Sequence, residues 1–230
     1  MTSKDPIRSW YPQDKQATAA QEGKHALADH LRALTGDVLM LDSSHVATDD
    51  LAEAERLLAA ARSHVAGLAS VRGSGGLFGS DDDFSLFERS PFSGRCNGLS
   101  TPMTVTFEGD QTRAHATYGD AYEGPPGSVH GGHVMGAFDD LLGVAQAASG
   151  TAGFTGTLSV KMLARTPLHR RIDYEAGVQS VEGRKVTAWG RSHCDGVLLA
   201  EATGIFIVPR EGLHAMIQAE PDEGGGARRS

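Results

Sequence analysis

The sequence predicts an α+β fold in which one long apolar helix packs against an antiparallel sheet. Between residues 131 and 150, apolar residues recur at helical spacing, at Val134, Ala137, Phe138, Leu141, Ala145 and Ala148. The segments on both sides alternate apolar and polar residues, which is the pattern of strands with one buried face. Short turns that contain glycine join the later strands and fit antiparallel pairs, because parallel pairs need long crossovers. The predicted order is two strands, one helix and four strands.

Length and composition allow one sizeable domain with an extension. The chain has 230 residues, of which 40% are apolar, and a formal net charge of −8 that argues against a nucleic-acid partner. Cys96 and Cys194 lack CxxC spacing, so they predict neither a disulfide framework nor a thiolate zinc site. The N-terminus lacks the apolar run of a signal peptide, and no run approaches the roughly 18 apolar residues of a membrane span. We therefore expect a cytoplasmic protein without a membrane span.

Two helices are predicted ahead of the sheet. Residues 14–34 are mostly good helix formers, and Gly36 follows them as a stop signal. Thr48, Asp49 and Asp50 offer capping groups and negative charge at the start of the second helix. Its apolar residues then recur at three and four, at Leu51, Ala54, Leu58, Ala61, Val65 and Leu68. A helix with such a stripe is expected to lie on an apolar surface.

A glycine-rich stretch at residues 73–79, followed by three aspartates, is the best candidate for a boundary. It lacks the Gly-Lys-Ser/Thr of a phosphate-binding loop, so we interpret it as a linker. The predicted division is a helical N-terminal extension at 1–75, a loop at 76–91, the sheet-and-helix domain at 92–210 and a flexible tail at 211–230.

The long helix is entered through Glu-Gly-Pro-Pro-Gly at residues 123–127 and His-Gly-Gly at residues 130–132. A helical wheel places Asp139 on one stripe roughly opposite the apolar face, together with Gly132, Gly136 and Gly143, whereas Asp140 lies about 100° away. Backbone without side chains allows a substrate, or a partner helix, to approach closely. The stripe therefore indicates either a substrate groove that contains a carboxylate or a site of close helix packing.

These elements resemble the hotdog-fold acyl-CoA thioesterases of the phenylacetate-pathway (PaaI) type. The likeness rests on His-Gly-Gly at the start of the helix, on an Asp nine positions after that His, and on residues 155–160, 167–168 and 182–185. The Glu-Gly-Pro-Pro-Gly lead-in is similar to the branch that contains the mitochondrial long-chain acyl-CoA thioesterases. The resemblance covers about residues 92–208. It implies a hotdog fold, with an antiparallel sheet of about six strands (β-β-α-β-β-β-β) wrapped around a central helix and an N-terminal helical extension.

The resemblance also implies an activity in lipid metabolism, the hydrolysis of acyl-CoA to a carboxylic acid and coenzyme A. Asp139 would act as general base or nucleophile, and the Gly131 amide would stabilise the oxyanion. His130 would border the carbonyl, and Thr155 would help to hold the attacking water. In the family the strand residue comes from the partner chain, so we expect a homodimer or a dimer of dimers with the site at the subunit interface.

Substrate contacts are expected from Gly132, His133 and Gly136 near the thioester, and from Arg165, Arg184 and Lys185 near the phosphates of coenzyme A. No metal or separate cofactor is predicted, because His130, His133 and Asp139 match no familiar zinc spacing. The chain departs from some relatives at Gly124, where they carry an Asn that contacts the thioester.

Two other functions stay open at this point. A hotdog protein can bind acyl-CoA without turning it over. A hotdog dehydratase or hydratase would need a His and a carboxylate in a different arrangement, which the sequence does not show.

Overall fold

The computed structural model describes residues 17–69 and 88–210. These residues form three α-helices, six strands and a short 3-10 helix at Asp120–Tyr122. The helices are α1 (Ala19–Leu39), α2 (Thr48–Ala66) and α3 (Gly131–Ala148). The strands are β1 (Thr104–Glu108), β2 (Gln111–Thr117), β3 (Phe154–Met162), β4 (Arg171–Glu182), β5 (Lys185–Cys194) and β6 (Val197–Ile207). The predicted tail at 211–230, and residues 76–87 of the predicted loop, lie outside the described residues.

The six strands form one antiparallel sheet in the order β1-β2-β4-β5-β6-β3. The predicted α+β class and the order of two strands, one helix and four strands are therefore confirmed. Two hairpins turn at Gly109 and Gly183, whose φ angles are 61° and 62°. Such left-handed backbone is strained for most side chains, so glycine allows these tight turns. β3 lies at the edge of the sheet, next to β6.

The apolar face of α3 packs on this sheet, as the helical spacing predicts. All six predicted apolar positions of the helix are buried, and Phe138 is fully buried with its ring edge-to-face on Tyr174 at 5.6 Å between centroids. Gly190 on β5 permits this contact, because an added Cβ would lie 3.1 Å from both Phe138 and Leu142. The close approach fixes the height of α3 above the sheet.

The N-terminal helices differ in detail from the prediction. α1 begins at Ala19, after a capping box formed by Thr18 and Gln21, and continues through Gly36 to Leu39. Gly36 does not end the helix, because a single interior glycine costs only about 1 kcal/mol relative to alanine. α2 begins at Thr48 with Ala47 at the N-cap, and no side chain caps it.

α1 is docked onto residues 88–102, which precede β1. Nε2 of His25 lies 2.5 Å from Oε2 of Glu88, and the thiol of Cys96 donates to the same oxygen at 2.8 Å. Arg32 donates to the carbonyl of Asn97 at 2.7 Å. α2, by contrast, is exposed along its whole length, so the apolar surface expected beneath it is not found among residues 17–69 and 88–210. No helix in these ranges is long and apolar enough to cross a membrane.

Candidate active site

Asp139 lies half-buried in the third turn of α3, and its carboxylate accepts a hydrogen bond from the Thr155 hydroxyl at 2.9 Å. The contact arises because the chain reverses direction in the short connection after α3, so that β3 runs back along the helix. The register of β3 shifts between Thr155 and Thr157, a bulge at the strand's start. The pair forms within one chain. This differs from the arrangement implied by the resemblance, in which the partner supplies the strand residue.

The start of α3 presents one available backbone donor. His130 is the N-cap residue, and its Nδ1 accepts from the amide of Gly132 at 3.0 Å. The Gly132 amide is therefore already used, whereas the Gly131 amide donates to no acceptor in the described part of the chain. Because Nδ1 accepts, the proton of a neutral His130 ring lies on Nε2. Of the two glycines expected to contact the carbonyl, Gly131 is the one with a donor to offer.

The Glu-Gly-Pro-Pro-Gly turn positions His130. The Glu123 carboxylate accepts from the amide of Gly127 at 2.6 Å and closes the turn. A Cβ added to Gly124 would lie 2.7 Å from Cα of His130. Backbone packs against backbone here, so no side chain fits at Gly124. The Asn that the resemblance would allow at this position would therefore clash with the backbone of His130.

The stripe of small residues on α3 is not an open groove at its centre. The ring of Phe92 lies against Gly136, and an added Cβ would approach that ring to 2.2 Å. The substrate contact expected at Gly136 is thus replaced by packing of the protein's own side chain. Gly143, one turn beyond Asp139, has nothing within 4 Å of an added Cβ. Gly132 at the helix start is also exposed, so the stripe is open at both of its ends and closed by Phe92 at its centre.

His133 is packed among rings and is not freely open to substrate. Its ring lies edge-on to Tyr122 at 4.9 Å between centroids, and to Phe92 and His130 at 6.4 Å each. Burial, and secondarily the neighbouring His130, lower the pKa of His133 below 6.5. The folded protein therefore favours the neutral ring.

Asp140 has a role that the sequence did not reveal. Its Oδ2 accepts from the hydroxyl of Ser93 at 2.6 Å and from the hydroxyl of Ser90. Burial raises the pKa of Asp140 above 3.8, and the serine hydrogen bonds partly oppose this effect. The side chain ties residues 88–102 to α3 and so holds Phe92 over Gly136. Neither serine belongs to a periodic pattern in the sequence. The only indication of this contact was that the wheel places the Asp140 carboxylate away from the Asp139 stripe.

The three expected basic residues are exposed, and they divide between two regions. Arg165 precedes Thr166, whose carbonyl accepts from the Val129 amide beside His130. Arg184 and Lys185 lie at the β4–β5 turn. Ile207 on β6 pairs with Lys185 on one side and with Phe154, the first residue of β3, on the other. The β4–β5 turn and the start of β3 therefore lie at the same end of the sheet. Arg165 therefore accompanies the helix start, while Arg184 and Lys185 accompany the Asp139–Thr155 pair.

Within the described ranges, one group of side chains has ligand atoms close enough together to hold a metal ion. Nε2 of His25, Oε2 of Glu88 and Sγ of Cys96 lie within 4.8 Å of one another. His130, His133 and Asp139 form no such group among these residues. The candidate active site therefore offers a carboxylate, a hydroxyl and a backbone amide as its chemical groups.

Comparisons with known proteins point to one superfamily. No family model matches the chain. Acyl-coenzyme A thioesterase THEM4 of Xenopus laevis is 35% identical over 91 residues, which are 39% of this chain and 41% of that protein. The match thus spans only about two fifths of the curated relative's length.

Structural likeness extends over more of the chain. The crystal structure of a thioesterase superfamily protein aligns with a TM-score of 0.68 and 27% identity, and it covers 80% of this chain and 94% of the other. This share exceeds what residues 92–210 alone occupy, so the likeness continues into the N-terminal helices. A hypothetical thioesterase protein from Streptococcus pneumoniae, solved with coenzyme A, aligns over 46% of this chain and 87% of its own at 15% identity and a TM-score of 0.43. The chain has the hotdog fold, and it is similar in sequence and in fold to proteins of the thioesterase superfamily.

Proposed function

We propose that this protein hydrolyses acyl-CoA thioesters to a carboxylic acid and free coenzyme A. The observation that carries the proposal is the Asp139 carboxylate, held by the Thr155 hydroxyl on the helix whose first amide, at Gly131, is available to a ligand. The name of the Xenopus relative supports the same substrate class. The structural likeness to a thioesterase superfamily protein supports the same reaction.

These groups are sufficient for thioester hydrolysis. The thioester oxygen would accept from the Gly131 amide at the positive end of the α3 dipole, where developing negative charge is stabilised. Asp139 would take a proton from a water held beside Thr155, or would attack the carbonyl carbon itself. In the first route a bond forms between the water oxygen and the carbon, the C–S bond breaks, and Asp139 returns the proton to the departing thiolate.

The two halves of this chemistry are far apart within one chain. Gly131 and Asp139 are eight residues apart on α3, which is about 12 Å along the helix axis at 1.5 Å per residue. A hydrogen bond to the carbonyl oxygen and a water attacking the same carbon need donors and acceptors within a few ångströms of each other. We therefore infer that each site combines the Gly131 amide of one copy with the Asp139–Thr155 pair of a second copy.

The division of the basic residues supports this arrangement. Arg165 accompanies the Gly131 half, and Arg184 and Lys185 accompany the Asp139 half. A site built from two copies would bring all three cations to one substrate, where they could meet the phosphates of coenzyme A. Within one chain they lie at different ends of the sheet.

The first test measures thiol release from a panel of acyl-CoA substrates of different chain length. Asp139→Asn should reduce the rate at least about a hundredfold, the contribution expected of a general base. Asp140→Asn is the matched control, because the neighbouring acid faces Ser90 and Ser93, and the folded variant should keep most of its activity. Full activity in Asp139→Asn would contradict the proposal. Tight binding without turnover would instead identify an acyl-CoA-binding protein, and hydration of an enoyl-CoA would identify a hydratase.

A second test asks whether the site is shared between copies. Asp139→Asn keeps the amide but lacks the carboxylate, whereas Gly131→Pro keeps the carboxylate but lacks the N–H. If the site is shared, mixed pairs contain one complete site, and random assembly of the two inactive chains restores about a quarter of wild-type activity. Sites contained in one chain would restore none. Each variant assembled alone is the control.

A further inference from the structure

α2 carries an apolar stripe that nothing in the described structure covers. Within α2 the stripe consists of Leu51, Ala54, Leu58, Ala61 and Val65, at intervals of three and four, and Leu68 continues the spacing two residues after the helix ends at Ala66. Its large members and Leu68 are 41% to 52% exposed. Apolar residues at intervals of three and four occupy the a and d positions of a heptad, the pattern of helices that pack lengthwise on another helix. The stripe therefore predicts a helix as the partner of α2.

We propose that α2 pairs antiparallel with α2 of a second copy of this chain. In that orientation each a position meets a d position, so that large and small side chains alternate across the seam. Leu58 meets the partner's Ala61, and Val65 meets the partner's Ala54. At each end of the seam, Leu51 lies beside the residues that directly follow the partner's α2, which include Leu68. Because the interface has twofold symmetry, every contact occurs twice.

The charges beside the stripe favour this orientation. Glu55 and Arg62 occupy e positions on the same side of the seam, and antiparallel pairing places Glu55 next to the partner's Arg62. A parallel pair would instead place Asp50 next to the partner's Glu55, which is a repulsive contact. It would also place Ala54 opposite the partner's Ala54, and two such small side chains would leave the seam underpacked between the Leu51 and Leu58 layers. Charge and side-chain size thus both select the antiparallel pair.

The helix also provides an internal control. Glu53 and Arg56 lie on the outer face of α2 at c and f positions, and they bind each other within one helix at 2.6 and 2.7 Å. The seam charges have no such bond within the described residues. The same charge changes can therefore be made on the inner and on the outer side of one helix.

The test uses charge reversal in the full-length chain. Glu55→Arg gives two positive charges at the seam and Arg62→Glu gives two negative charges, so each variant repels itself but attracts the other. Two attractive pairs become two repulsive pairs, and we expect self-association to be weaker by about four- to thirtyfold for each single variant. The double variant, Glu55→Arg with Arg62→Glu, should regain wild-type association.

The decisive measurement is native mass spectrometry of two co-expressed chains with different tags. Chance pairing through any other interface gives about half mixed pairs. When one chain carries Glu55→Arg and the other carries Arg62→Glu, the fraction of mixed pairs should clearly exceed one half. In the outer-face control, one chain carries Glu53→Arg and the other carries Arg56→Glu, and the fraction should stay at the chance value. A chance fraction for the seam variants, or an equal excess in the control, would overturn the proposal. If α1 or the sheet covers the stripe instead of a second copy of α2, the fraction of mixed pairs will also stay at one half. The measurement does not depend on catalytic activity, so it is independent of the proposed function.

Discussion

Replacing Gly131 with proline would test the oxyanion donor with little change to the helix. Gly131 is the first residue of α3, a position at which proline is favoured because its missing N–H has no partner within the helix. The preceding His130 has φ −60° and ψ 133°, which is the extended conformation that a following proline requires. Gly131→Pro therefore removes one hydrogen atom that the proposed chemistry uses and leaves the α-helical hydrogen bonds intact.

The size of the effect follows from the role of the amide. Loss of one oxyanion donor reduces kcat by about a hundred- to a thousandfold in enzymes that use such donors. Gly131→Ala is the matched control, since alanine adds a Cβ but keeps the N–H. That Cβ would lie 3.3 Å from the terminal methyl group of Met162, a flexible chain end that can shift by a few tenths of an ångström. Gly131→Ala should therefore stay within a fewfold of wild type.

The assay is steady-state thiol release, accompanied by thermal unfolding of both variants. Equal melting temperatures would show that proline has not damaged α3. If Gly131→Pro keeps full activity, or if Gly131→Ala loses as much activity as Gly131→Pro, the Gly131 amide is not the donor. The Gly132 amide could not replace it without release of the His130 cap.

Three stability measurements test the packing around the site. Gly136→Ala should destabilise the fold by about 1–3 kcal/mol because the new methyl group meets the Phe92 ring; Gly143→Ala, in open space, should stabilise it by up to about 1 kcal/mol. Because burial raises the pKa of Asp140 in the folded state, this group adds stability at acidic pH, and the stability is lost as the pH rises from 3.8 through the pKa of the folded state. Asp140→Asn does not titrate, so its free energy of unfolding, measured by chemical denaturation, should increase relative to that of wild type over this pH range. The lowered pKa of His133 has the opposite effect, so the free energy of unfolding of wild type should decrease as the pH falls below 6.5. This decrease should be smaller in His133→Gln, and an equal dependence on pH in the variant would contradict this reasoning.

The elements of the fold could be predicted because their patterns are local. The six apolar positions of α3 repeat within one helix, and the hairpin at Gly109 is visible in a dozen residues. The end of α1 could not be predicted from Gly36, because the cost of one glycine is smaller than the sum of the favourable residues around it. Periodicity therefore predicted which elements exist better than it predicted where they end.

The candidate site was predictable in part. The wheel correctly separated Asp139 from Asp140, but it could not show what packs against each side of the helix. Phe92 reaches Gly136 from a segment without periodicity, so no local pattern marked that glycine as a packing position. Thr155 reaches Asp139 within one chain because β3 turns back along the helix, a tertiary event that sequence spacing does not encode.

The adjacent acids of α3 show how one helix can carry a site and its support together. Consecutive residues point about 100° apart, so the two neighbouring carboxylates of α3 lie in different surroundings. Asp139 faces β3 and an open end of the stripe, where water and a ligand can reach it. Asp140 faces residues 88–102, where Ser90 and Ser93 hold it in a buried position. The same segment brings Phe92 against His133 in the first turn. Asp140→Asn keeps a side-chain oxygen that can accept from both serines and so preserves this support, whereas Asp140→Ala would remove it and loosen the helix start without any direct contact with the substrate.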